Sequence, residues 1–115
     1  MPLIKIQLSA PVAAEKKKEL IADCSRILAE VTGKPERYVM AVLEAGDFLV
    51  AGAPGPAAFL DVRGIGGLTK PVNARLSRQL CDLLKKDLGI APERIYLNFT
   101  DVPATNWGWN GETFG

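Results

Sequence analysis

Proton chemistry in this sequence would begin at Pro2. A small residue at position 2 permits removal of the initiator methionine, and the mature chain then starts with a free secondary amine. An α-amino group in a free peptide titrates at about 8. Burial in an apolar pocket, or a nearby cation, destabilises the protonated form and leaves the amine neutral at pH 7. Such an amine is a general base. The point matters because the 115 residues include no histidine. Every Ser-His-Asp or Cys-His catalytic arrangement and every His-ligated metal site is thereby excluded. The only cysteines, Cys24 and Cys81, form no Cys-x-x-Cys pair and fit neither a zinc site nor a disulfide framework. They fall in or beside helical apolar stripes and read as small hydrophobes of the core.

Other residues could serve such a base. Lys34 lies in a stiff Gly33-Lys34-Pro35 turn, where it either stays solvated beside a helix C-terminus or holds an anionic substrate group. Gly64-Ile65-Gly66-Gly67 lacks the Gly-Lys-Ser/Thr ending of a phosphate loop. It is a plain turn, or its free N–H groups grip a carboxylate. On a strand, Tyr96 and Asn98 point opposite to Ile95, Leu97 and Phe99. They make a subunit contact, or a pocket wall with one aromatic surface and one hydrogen-bond donor. Trp107, Trp109 and Phe114 crowd the C-terminal tail, which must dock on its own core or on a neighbour. Lys16-Lys17-Lys18 is flanked by Glu15 and Glu19 and reads as a solvated helix face.

The elements that position these residues come from a duplication. Pro35-Glu36-Arg37 recurs as Pro92-Glu93-Arg94, and Leu20, Cys24, Ile27, Leu28 and Gly33 align with Leu76, Leu80, Leu83, Leu84 and Gly89. Each half reads strand, helix, strand. In the first, Leu3 to Leu8 alternates as a strand and Pro11 opens a helix. Leu20, Cys24, Ile27 and Val31 form the helix stripe, Gly33 closes it, and Tyr38 to Leu43 is a strand buried on both faces. In the second, Ala58 to Val62 is a strand, and Pro71 opens a helix carrying Leu76, Leu80, Leu83 and Leu84. Gly89 ends that helix and Ile95 to Phe99 is the last strand. The Gly- and Pro-rich stretch from Ala51 to Pro56 is a loop inside one domain of residues 1–115, with repeats at about 1–50 and 58–115. The expected class is α/β, in the form of an α+β two-layer sandwich. Two tandem βαβ units make a four-stranded mixed sheet with both helices on one face. The other face needs a cover, and self-association is the simplest one.

Composition sets the outer limits. At 48% apolar and 23% charged, the chain is expected to fold. A net charge of +1 offers no field for nucleic acid. No apolar run approaches the roughly 18 residues of a membrane span. The N-terminus lacks the regions of a signal peptide. The expected location is the cytoplasm, with leaderless secretion left open.

Several of these pieces recur together in one known family. They are Met1-Pro2, Thr32-Gly33-Lys34-Pro35 with Tyr38, the segment around Ile65, Pro92-Glu93-Arg94-Ile95-Tyr96-Leu97-Asn98, and Asn106-Trp107-Gly108-Trp109-Asn110 with Thr113-Phe114. In that order the chain resembles the macrophage migration inhibitory factor family of the tautomerase superfamily. The resemblance implies a homotrimer of this fold with active sites between subunits. It implies Pro2 as catalytic base, and Lys34 and the Ile65 N–H as ligands of a substrate carboxylate. Tyr96 and Asn98 would come from the adjacent subunit, and Tyr38, Trp107, Trp109 and Phe114 would line an aromatic pocket. The implied activity is keto–enol tautomerisation of phenylpyruvate, 4-hydroxyphenylpyruvate or dopachrome, with no metal or cofactor. A non-enzymatic, cytokine-like protein on the same trimeric scaffold is the alternative. Two departures stand out. Ala57-Ala58-Phe59-Leu60 replaces the Cys-x-x-Cys of the animal cytokines, so no thiol-redox activity is expected. Trp107 takes a pocket position that is usually smaller and aliphatic.

Overall fold

The computed structural model describes residues 1–115. Strand β1 (Leu3–Leu8) turns Ile4, Ile6 and Leu8 inward and leaves Leu3, Lys5 and Gln7 on the opposite face. It lies at the centre of a four-stranded sheet ordered β2-β1-β3-β4, where β2 is Met40–Ala45, β3 is Ala58–Gly64 and β4 is Ile95–Asp101. β1 runs parallel to β2 and antiparallel to β3, and β3 runs parallel to β4. Helices α1 (Ala14–Thr32) and α2 (Lys70–Leu88) cover one face. Leu20, Cys24 and Leu28 of α1 and Leu76, Leu80 and Leu84 of α2 meet Ile4, Ile6, Leu60 and Val62 in one buried cluster. That cluster takes residues from both repeats, so neither half buries its apolar face alone.

The duplication extends to local detail. Both helices end on a left-handed glycine, Gly33 at φ 72° and Gly89 at φ 69°. Each is followed by a single 3₁₀ turn, Glu36–Tyr38 or Pro92–Arg94, which feeds the next strand. Thr69 caps α2 by accepting from the Val72 N–H at 3.4 Å, with Pro71 in the first turn as expected.

Some boundaries differ from the sequence reading. α1 begins at Ala14, after an extended Ala13 and with Val12 packed on the core ahead of the helix. The strand expected at Tyr38 to Leu43 begins at Met40, because Tyr38 closes a 3₁₀ turn onto the Pro35 carbonyl at 3.1 Å. Within the single chain, β2 is covered on one side only, and the expected cover of its other side would have to come from a neighbour. β2 is an edge strand whose Ala41 and Leu43 pack inward while Met40 is 64% exposed on the open face. β3 and β4 both run two residues past Val62 and Phe99, since their parallel register continues to Gly64 opposite Asp101.

Arg94 ties the linker between the repeats to the start of β4. Its guanidinium donates to the carbonyls of Val50, Ala53, Gly55 and Pro56, at 2.8 Å to Pro56 and 3.0 Å to Ala53. A planar fork with five donors suits this task and an ammonium does not. Arg94→Ala is expected to cost about 1–2 kcal/mol, read as a lower denaturant midpoint, with Arg94→Lys recovering only part of it. An unchanged midpoint would show that the linker needs no such tie.

Candidate active site

Five of the residues singled out in the sequence converge at one end of the sheet. Pro2, Lys34, Tyr38, Ile65 and Phe114 line a cavity of about 420 Å³, together with Met1, Pro35 and Ala104. Each arrives by a local rule. Pro2 leads into β1 and is buried, and its carbonyl accepts from the Met40 N–H at 3.1 Å, so it is fixed where β1 meets β2. The left-handed turn at Gly33 delivers Lys34 just past the end of α1. Ile65 follows the last residue of β3.

A second cavity of about 290 Å³ shares Met1, Pro2 and Tyr38 with the first and adds Met40, Trp107 and Trp109. The tail makes this wall by folding into a small hairpin, β5 (Gly108–Trp109) against β6 (Glu112–Thr113). Asn110 at φ 53° and Gly111 at φ 81° form its turn, the residue pair that such a tight hairpin favours. Trp109 meets Tyr38 edge-on at 5.8 Å and stacks on Phe114 at 5.9 Å. The tail is thus docked on its own chain. Trp107 also borders a third cavity beside Leu3 and Arg63, so it stands between that space and Pro2.

The electrostatics of this end favour a neutral amine. The terminal amine, carried by Met1, is held below its ordinary value, first by burial and second by the nearby Lys34 ammonium. Lys34 itself donates to the Ile65 carbonyl, which aims the ammonium along the cavity edge. Gly67, at φ 82°, leaves room for it, since a β-carbon there would come within 3.0 Å of the Lys34 Cε. No group of three His, Cys, Asp or Glu side chains is arranged to hold a metal ion. Burial pushes the Cys24 thiol up to about 12, which leaves it unreactive.

Tyr96 and Asn98 are not brought to this cavity. They lie on the open face of β4, with Tyr96 69% exposed, and β3 separates them from β1. The sequence reading did not pick out Pro35, Ala104 or Met40 as lining residues. These are ordinary residue types whose place depends on which turns close over Pro2. It also missed the hairpin, although Asn110-Gly111 is a legible turn signal.

The family model described as macrophage migration inhibitory factor (MIF) matches residues 1–115. Macrophage migration inhibitory factor of Meriones unguiculatus is 36% identical over 116 aligned positions, covering 99% of each chain. The crystal structure of a macrophage migration inhibitory factor-like protein from Entamoeba histolytica superposes with a TM-score of 0.94 at 38% identity, covering 98% of each chain. The crystal structure of Pt0534 inactivated by 2-oxo-3-pentynoate superposes with a TM-score of 0.86 at 26% identity, covering 96% of this chain and 94% of the other. No helix is long and apolar enough to cross a membrane.

Proposed function

The chain belongs to the macrophage migration inhibitory factor family, and from that premise we propose that it is a keto–enol tautomerase of aryl 2-oxo acids. Its substrates are phenylpyruvate, 4-hydroxyphenylpyruvate or dopachrome-like compounds, and its base is the amine of Pro2 once Met1 is removed. The observation that carries the reading is Pro2, buried and lining one cavity with Lys34, behind a partly buried Met1 amine that is held below its ordinary value. Removal of Met1 frees cavity space and moves the amine to Pro2, which is itself buried and lines the same cavity as Lys34, so burial and a neighbouring cation are expected to act on it in the same direction. The neutral nitrogen takes a proton from the enol hydroxyl, or from the carbon beside the carbonyl, and returns it at the other site. Lys34 and the Ile65 N–H hold the carboxylate and steady the charge that develops on oxygen. Tyr38, Trp107, Trp109 and Phe114 receive the ring, and the bulk of Trp107 narrows that wall. The chemical class agrees with one structural relative, Pt0534, which is inactivated by a 2-oxo compound.

Tyr96 and Asn98 complete the site in a homotrimer. The exposed Met40 and Tyr96 on the open sheet face support a second copy as its cover. Sedimentation at micromolar concentration is expected to show trimers, and a monomer would sink the intersubunit site. The activity itself is tested by phenylpyruvate ketonisation, followed by steady-state rates for a series of aryl and alkyl 2-oxo acids. No turnover above the buffer rate by a chain lacking Met1 would overturn the assignment and leave a cytokine-like binding role. Within the active protein, Gly67→Ala is expected to raise KM roughly tenfold and to lower kcat by a smaller factor. The added methyl meets Lys34 and strains a left-handed backbone.

A further inference from the structure

The carboxylate-binding end of the cavity is held from behind by the end of β4. Two consecutive peptide groups are involved. The first joins Gly64 to Ile65 and carries the Ile65 N–H, and its Gly64 carbonyl accepts from the Val102 N–H at 2.8 Å. The second joins Ile65 to Gly66. On one side its carbonyl takes the hydrogen bond from Lys34 Nζ. On the other side its Gly66 N–H donates to Asp101 Oδ1 at 2.7 Å. Carboxylate, peptide and ammonium therefore form one hydrogen-bonded chain, with both charges favouring the peptide dipole. Hydrogen bonds in such a chain polarise and strengthen one another. Gly66, at φ 68°, has a backbone free to turn, so without an anchor this peptide has other orientations available. Asp101 is in place because it is the register partner of Gly64 in the parallel β3–β4 pair.

We propose that Asp101 is a positioning residue for carboxylate recognition: through the Ile65–Gly66 peptide it orients Lys34 toward the carboxylate of a 2-oxo acid. Asp101 does not touch the substrate. It lies outside the cavity, and its effect is confined to ligands that carry a carboxylate. The inference rests on the tautomerase reading for the identity of the ligand, and its test is made by binding so that the two stand or fall separately.

The probe is phenylglyoxylate, a 2-oxo acid with no enolisable hydrogen, compared with its methyl ester by calorimetry on the full chain lacking Met1. The unaltered protein is expected to bind the acid more tightly than the ester. Asp101→Ala is expected to weaken the acid roughly five- to tenfold and leave the ester unchanged. Asp101→Asn, which keeps an oxygen acceptor, is expected to stay within about twofold of the unaltered protein. Equal weakening of acid and ester would reveal a general structural loss and overturn the inference, as would unchanged affinity in Asp101→Ala. No binding of the acid by the unaltered protein would overturn it too. If Asp101→Ala does not fold, the ¹⁵N-labelled unaltered chain supplies the readout. Phenylglyoxylate is expected to shift the Gly66 amide resonance where the ester does not, and no such difference would count against the inference. Binding that depends on Asp101 in a chain that fails to turn over phenylpyruvate would leave this inference standing and the tautomerase reading not.

Discussion

Pro2→Gly, processed to a free amine, is expected to ketonise phenylpyruvate about 100-fold more slowly than the unaltered chain, or worse, because general-base catalysis contributes on the order of 10²–10⁴. The substitution keeps an amine, so the loss comes from placement. The Pro2 ring is buried where β1 meets β2, and its carbonyl is tied to the Met40 N–H. The ring is expected to hold the nitrogen at the cavity that Pro2 lines, whereas a glycine amine turns freely and leaves a void. The same physics makes activity follow processing. While Met1 is attached, the Pro2 nitrogen is a tertiary amide without basicity, and Met1 occupies part of the cavity wall. Intact mass and turnover measured on one preparation should show activity proportional to the fraction lacking Met1. Turnover like that of the unaltered chain in a correctly processed Pro2→Gly protein would remove Pro2 from the chemistry.

Lys34→Met carries the second large effect, and it has two separable parts. Loss of a charge-assisted contact to the carboxylate is expected to raise KM roughly 10- to 100-fold. The other part appears in the pH profile. A cation beside an amine opposes its protonation: Lys34, second to burial, lowers the value of the Met1 amine, and it is expected to act in the same direction on the amine of Pro2. The base works in its neutral form, so kcat/KM should rise with pH through that value and level off above it. Removing Lys34 leaves burial alone, and the rising limb should move to higher pH. A KM increase with an unmoved limb would separate carboxylate binding from amine tuning. A limb displaced to lower pH would contradict the electrostatic account.

Much of this was legible in the sequence because it depends on local rules. Alternation in Leu3–Leu8, the apolar stripes of the two helices and the glycine stops at Gly33 and Gly89 follow from backbone sterics and side-chain periodicity. The duplication doubled each of these signals and gave the strand–helix–strand plan twice. What was misplaced had a cause outside its own segment. Tyr38 has a strand-forming side chain, yet the turn begun at Pro35 claims it. β2 has an apolar run that asks for cover on both faces, and the chain itself covers only one of them, with the strand at the sheet edge.

The candidate site divides along the same line. Residue types alone pointed to Pro2, because a chain without histidine leaves few bases for neutral pH, and to Lys34 through its stiff turn. Their juxtaposition is another matter. Pro2 and Ile65 adjoin because β1 and β3 are antiparallel neighbours, which brings the start of one beside the end of the other. Lys34 joins them through its bond to the Ile65 carbonyl. Asp101 is hidden further still, since nothing in its flanking residues links it to Gly66. Only the parallel β3–β4 register does so. The sequence by itself thus determined the elements and the chemical types of the actors, which local sterics and periodicity encode. The tertiary structure decided which of them meet, because strand order and register are set by burying one shared core and not by neighbours in the chain.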